Sequence, residues 1–271
     1  MNRLAAPIAL RRLALPVFCA AALLMWLCMV LAGLFAPQFE RDGVRYSWPD
    51  DAAQTVRRVV IDAPQVRRYG DIELKWSDSE APVVVTGVNA NDSPDYKLDV
   101  EGDTLYVRPH PLPEADAAKQ GRRAHADITS LTLPMQVSEV HGPRLSVACK
   151  THLPALTLRG ASVYVGCTQI DDLRILATDA DEDEDEDDDN CRAGEVHVNA
   201  QNIGKLHIET SAQSVSLSHI SHLDAVTVRA PQDTDLKLDR IGDVSRIQWQ
   251  EMPASERATC KRAPRMKAGD D

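Results

Sequence analysis

The residues of this 271-residue chain best equipped for chemistry are a run of carboxylates and four of its six cysteines. Ten acidic side chains fall between residues 179 and 189. Within that run Asp181, Glu182, Asp183, Asp185 and Asp187 offer the oxygen density that a Ca2+ ion, taking roughly six to eight ligands, requires. An ordered site also needs backbone carbonyls and a glycine turn, and no glycine interrupts the run, so the EF-hand spacing is absent. Ten like charges also repel one another and cannot fold alone. The default reading is a solvated loop. A weak Ca2+ patch and a docking segment for a basic partner are the alternatives, and no other cofactor is implied.

Four cysteines lie beyond residue 36: Cys149, Cys167, Cys191 and Cys260. Cys149 follows Val147 by two residues and Cys167 follows Val165 by two, which puts them at equivalent places on successive coils of the repeat described below. Stacked strands lie about 4.8 Å apart, within the roughly 4.4–6.8 Å between Cα atoms that a disulfide accepts. Outside the cytoplasm thiols pair. The expected pairs are Cys149–Cys167 and Cys191–Cys260, the second tying the acidic insertion to the C-terminal segment. Four cysteines allow three connectivities, so the others stay open, as do two stacked free thiols. Zinc has no C-x-x-C or H-x3-H spacing to occupy.

Eight histidines invite a catalytic reading. His197 and His207 each stand between two apolar residues of an alternating stretch, at outward positions. Their equivalents on other coils are Tyr164 and Ser216 for the first, and Thr157, Arg174, Thr227 and Gln248 for the second. His219 and His222 flank Ile220 in a turn near Asp224, with no nucleophile beside them. Asp171, Asp172 and Asp243 are the candidates for paired-carboxylate glycoside chemistry. No G-x-S-x-G, H-E-x-x-H, P-loop or dinucleotide fingerprint occurs, so no residue is assigned a catalytic role.

The element that must position these groups is a repeat between Leu153 and Trp249. Its pattern, apolar-x-x-apolar-x-apolar, reads Leu153/Leu156/Leu158, Ile170/Leu173/Ile175, Ile203/Leu206/Ile208, Leu223/Val226/Val228 and Val244/Ile247/Trp249. A second alternating strand lies between successive copies: Val163/Val165, Val196/Val198, Val215/Leu217, Leu236/Leu238. The copies begin 17, 33, 20 and 21 residues apart, the 33 being one period plus the acidic insertion, 178–192. A period near 20 with short strands predicts an all-β, right-handed β-helix-like solenoid, each coil burying its apolar side against its neighbours. Aromatics are only 4% of the chain, which suits thin aliphatic coils. The net charge of −11 falls to −1 once the acidic run is set aside, so no basic footprint for nucleic acid exists.

Residues 13–36 carry no charge and are long enough to span a bilayer, which takes about 20 apolar residues. Arg3, Arg11 and Arg12 precede them, so the positive-inside rule keeps residues 1–12 in the cytoplasm. A cleaved signal peptide fits less well: the apolar stretch exceeds the usual length of about 7–15, and Pro37 follows the best cleavage site, Leu34-Phe35-Ala36. The expected map is a transmembrane anchor at 13–36, a polar tether at 37–56, one β domain at 57–250 and a disordered basic tail at 251–271. In the lead-in, RRVVIDA (57–63), DIELKW (71–76), PVVVTGV (82–88) and YKLDVEGDTLYV (96–107) alternate with the period of half-buried strands. Glu101-Gly102-Asp103 makes the turn of a hairpin. Residues 110–125 read as a loop.

Three runs, GDIELKWSDSEAPVVVTG, YKLDVEGDTLYVRP and ADITSLTLPMQVSEVHGPRLSVAC, resemble in this order the auto-transporter adhesin head domain, or head GIN domain. The resemblance covers residues 57–250. It implies a β-helix-like fold and an envelope location, and brings no catalytic residues. The acidic insertion and the scarcity of glycine turns depart from that pattern. Together these readings predict a single-pass bacterial inner-membrane protein with its C-terminal domain in the periplasm. That domain would be a non-catalytic binding or structural module, with an envelope protein or a glycan as partner. The alternatives are a polysaccharide-acting β-helix enzyme and a divalent-cation-responsive sensor working through the acidic loop.

Overall fold

The structure, a computed structural model, describes residues 43–62, 71–87, 96–110, 128–177 and 194–253. The anchor at 13–36, the acidic insertion and most of the basic tail lie outside them. No helix among the described residues is long and apolar enough to cross a membrane.

The described chain is all-β. Its strands are β1 (Arg45–Ser47), β2 (Arg58–Ile61), β3 (Ile72–Trp76), β4 (Val83–Thr86), β5 (Tyr96–Glu101), β6 (Thr104–Pro109), β7 (Ile128–Leu133), β8 (Glu139–His141), β9 (Arg144–Cys149), β10 (Leu153–Arg159), β11 (Ser162–Ala177), β12 (Glu195–Thr210), β13 (Ser214–Ser218), β14 (His222–Ala230), β15 (Asp235–Asp239) and β16 (Ile247–Glu251). A single-turn helix, α1 (Ala52–Thr55), follows β1. All sixteen strands join in one nearly closed, barrel-like sheet.

That sheet consists of two runs of neighbouring strands. The first runs β5–β6–β2–β8–β10–β11–β12–β14–β16, the second β1–β4–β7–β3–β9–β11–β12–β13–β15. The 16-residue strands β11 and β12 belong to both, entering the second run with their N-terminal halves and the first with their C-terminal halves. Pairing is parallel from β6 and β7 onward. Antiparallel pairing is confined to β5 on β6, β4 on β7 and β1 on β4, at one end of the sheet. Strands β6 and β7 are stacked outside β2 and β3, so the spatial order of these two pairs differs from their order in the chain.

The apolar spacing in the sequence becomes ladders of identical inward positions. One ladder reads Leu105, Val59, Val140, Leu158, Ile175, Ile208, Val228, Trp249. Its first seven members are wholly buried and Trp249 is 38% exposed. Across the interior a second reads Leu131, Leu74, Val147, Val165, Val198, Leu217, Leu238, buried throughout except for Leu238 at 42%. Each such side chain withdrawn from water contributes about 1.5–3 kcal/mol of transfer free energy, so coils hold one another in register through side-chain packing as well as backbone bonds. Buried threonines pin the corners between coils. Thr210 Oγ1 donates to the Ala177 carbonyl and accepts from the Ala212 amide, both at 2.9 Å. Glycine is required where coils touch: a Cβ at Gly204 would collide with the Asp171 carbonyl oxygen of the coil beneath. In the β5–β6 hairpin, Glu101 pairs with Thr104 and Gly102 has φ +65°, as the first central residue of a type II′ turn requires.

Two expectations need correcting. The tether at 37–56 belongs to the folded body from residue 43 onward. Trp48 and Val56 are buried, β1 pairs with β4, and Gln136 Nε2 donates to the Ala53 carbonyl. An indole and a valine with core to fill outweigh the polar composition around them. Val244, expected as an inward strand residue, lies instead in a 3-10 turn, Val244–Arg246, and is 55% exposed. Asp243 caps that turn by accepting from the Ser245 amide, and the last coil regains its register only at Ile247.

Candidate functional site

The outward positions of the second run form a polar face. One ladder across it reads Ser146, Tyr164, His197, Ser216, Lys237, and the next reads Ala148, Gly166, Asn199, Ser218, Asp239. Tyr164 and His197 stand on adjacent strands with ring centroids 6.4 Å apart and planes 29° from parallel. Beside them stand the small residues Ala148 and Gly166. Packing does not demand glycine there, because a Cβ on Gly166 would meet only the Val147 carbonyl oxygen, at 3.5 Å.

Charges arrive at one edge of this pair. The Tyr164 hydroxyl donates to Glu195 Oε2 at 3.3 Å, and Arg144 Nε reaches Asp71 Oδ1 at 3.2 Å. Burial raises the pKa of the Tyr164 phenol, and the carboxylates of Glu195 and Asp71 push it further up against the opposing pull of Arg144. The phenol therefore stays protonated, a donor with an aromatic face. Such a surface can stack against a flat apolar patch of a ligand and exchange hydrogen bonds with its hydroxyls.

The outward side of the first run is a charge mosaic. Arg58 and Arg159 reach opposite oxygens of Glu139 at 2.9 and 3.4 Å, and Arg229 meets Glu209 at 3.0 Å. His207 stands in register with Arg174 and Thr227, its Nε2 3.9 Å from Glu209. These groups largely satisfy one another.

The carboxylates proposed for glycoside chemistry are not brought together. Asp171 faces His152 Nε2 at 2.8 Å, Asp172 pairs in register with Lys205, and Asp243 holds Ser245 and Arg246. The coils of Asp171 and Asp243 are three levels apart, about 14 Å at the usual strand spacing. Glycosidase carboxyls lie roughly 5–9.5 Å apart. Hydrogen bonds from Ser245, the largest influence, and from Arg246 hold the Asp243 pKa below the ordinary carboxylate range, which suits a cap and not a general acid. His222 Nε2 approaches Asp224 Oδ1 at 3.3 Å, whereas His219, with φ +58°, meets Arg240.

Cys149 and Cys167 are paired in register and joined by a disulfide, their Cα atoms 4.6 Å apart. The bond lies inside, with Ala200 as the next residue of the same ladder. Cys191 and Cys260 lie outside the described residues. So do Asp181, Glu182, Asp183, Asp185 and Asp187. Among the described residues no group of three or more His, Cys, Asp or Glu side chains is placed to hold a metal ion. Sequence reading set Tyr164 and His197 at equivalent positions but missed the cluster around them, because Asp71 reaches it only through the stacking of β3 on β9. No protein-family model, no curated protein and no solved structure matches this chain.

Proposed function

We propose that the chain is a β-solenoid binding module, carried on an envelope membrane by residues 13–36, whose Tyr164/His197 face takes an extended glycan strand. The observation that carries this reading is the pair of stacked rings beside a row of small and polar residues running across successive strands. A ligand with its own repeat lies naturally along such a face. Sugar C–H faces stack on Tyr164 and His197, while Ser146, Asn199 and Ser216 exchange hydrogen bonds with hydroxyls. The resemblance to head GIN domains supports the same envelope placement and solenoid architecture, and the module acts without catalysis.

The test uses the full chain in detergent against a panel of bacterial surface polysaccharides, scoring both binding and cleavage. Binding that weakens at least tenfold in Tyr164→Ala/His197→Ala supports the reading. Binding unchanged by that double substitution moves the site elsewhere. Released reducing ends or unsaturated products replace the module with a polysaccharide-acting enzyme.

A further inference from the structure

The face that carries Tyr164 and His197 also carries the carboxylates of Asp71, Glu73, Glu195, Asp235 and Asp239, and all but one are matched by a cation. Lys75 Nζ lies 2.9 Å from Glu73, Arg144 Nε 3.2 Å from Asp71, Lys237 Nζ 3.4 Å from Asp235 and Arg240 Nε 4.0 Å from Asp239. Glu195 is the exception. Among the described residues no lysine or arginine pairs with its carboxylate, whose one hydrogen bond is accepted from the Tyr164 hydroxyl.

The register explains why this charge is left over. Across the strands its outward column reads Arg144, Ser162, Glu195, Ser214, Asp235, so both neighbours of Glu195 are serines. Arg144 stands two strands away, about 10 Å at the usual strand spacing, with its Nε turned to Asp71. The next outward column brings the rings. His197 follows Glu195 by two residues on the same side of β12, and Tyr164 lies opposite His197. The two rings, 6.4 Å apart and 29° from parallel, thus form an aromatic platform with an unmatched negative charge at its edge. An aromatic ring attracts a cation placed over its face, and a carboxylate takes a charge-assisted hydrogen bond from an ammonium group. Both features call for the same chemistry, a charged amine. A neutral hydroxyl makes no use of the charge, and an acidic sugar is repelled by it.

We propose that this platform selects glycans with free amino sugars, the ammonium group of one sugar seated between Glu195 and the Tyr164 ring. Ser146, Asn199 and Ser216 beside the rings suit the hydroxyls that surround an amine on a sugar, whereas a lysine side chain would leave them to water. The inference rests on the glycan reading and narrows it. N-acetylation of the sugar removes the charge and weakens binding, and a uronic acid in its place reverses the charge.

The experiment is calorimetric titration of the full chain in detergent, at physiological salt, with a short glucosamine oligosaccharide and its fully N-acetylated counterpart of equal length. We expect the natural chain to prefer the free amine by about tenfold or more. Glu195→Gln should abolish that preference and leave binding of the acetylated form unchanged. Asp235→Asn removes the same charge from a carboxylate that Lys237 already matches, and should keep the preference. Equal affinity for the two oligosaccharides overturns the inference, while the glycan reading stands if Tyr164→Ala/His197→Ala weakens both. Binding of neither also overturns it, and the wider polysaccharide panel then tests the glycan reading separately. A preference kept by Glu195→Gln, or lost equally in Asp235→Asn, reflects the net charge of −11 and overturns the site. An oligolysine peptide that displaces the amino sugar and depends equally on Glu195 overturns it too, by making a basic peptide the occupant.

Discussion

Ile175 pairs with Ile208 in the same register in which Leu158 pairs with Ile175, although 33 residues separate the first pair and 17 the second. The extra residues leave the ladder undisturbed, since Ala177 still accepts from Ser211 and Gly194 still donates to Ala161. Deleting residues 179–190 would leave five residues between Ala177 and Glu195. The corner between β14 and β15 manages with four, residues 231–234. Deletion should therefore keep the fold, with a melting temperature within about 4 °C of the natural chain, the shift that about 1 kcal/mol produces at this size. A larger fall in a thermal melt would make the insertion part of the structure.

The ladders predict where a truncation hurts. Ile208 is wholly buried between Ile175 and Val228, so Ile208→Ala should cost about 2–5 kcal/mol. Val244 carries nearly the same side chain and the sequence pattern ranks it alongside. In the structure it is 55% exposed in the 3-10 turn, and Val244→Ala should fall within about 0.5 kcal/mol of the natural chain. Urea unfolding of both variants decides the matter, and equal losses would restore Val244 to the core.

Those two residues also mark what the sequence makes legible. Spacing reveals which residues share a ladder, because the interior admits only apolar side chains at repeating positions. It hides anything that leaves inward residues interchangeable. Laying β6 and β7 outside β2 and β3 exchanges Leu105 for Val59 and Leu131 for Leu74, so no pattern records the exchange. The Tyr164 cluster inherits that blindness through Asp71. At Val244 the pattern misleads for a different reason: Asp243 offers the backbone a capped turn that competes with the strand.

Reduction of the Cys149–Cys167 bond should cost the protein stability. The bond closes a loop of sequence separation 18, and in the chain-entropy picture a loop of this size is worth about 3 kcal/mol. The Cys149→Ala/Cys167→Ala variant should therefore unfold at lower urea than the natural chain, and alanine already fills the next place in the ladder, Ala200. Reductant should lower the midpoint of the natural chain more than that of the variant. Identical midpoints for the two oxidised proteins would count against any stabilising role.

Tyr164 gives the candidate face a spectroscopic handle. Its phenol is held above the ordinary tyrosine value near 10 by burial first, then by Glu195 and Asp71. Because the folded pKa exceeds the unfolded one, the neutral ring's contribution to stability is complete below about pH 10 and fades as pH climbs through the folded value. Absorbance at the tyrosinate band, compared between the natural chain and Tyr164→Phe, isolates this group from the other four tyrosines. Glu195→Gln should bring the titration down by removing a nearby negative charge, and Arg144→Gln should move it up by removing a positive one. If neither substitution moves the Tyr164 titration, these groups do not share one electrostatic site, and the face loses its protonated aromatic donor as a basis for recognition.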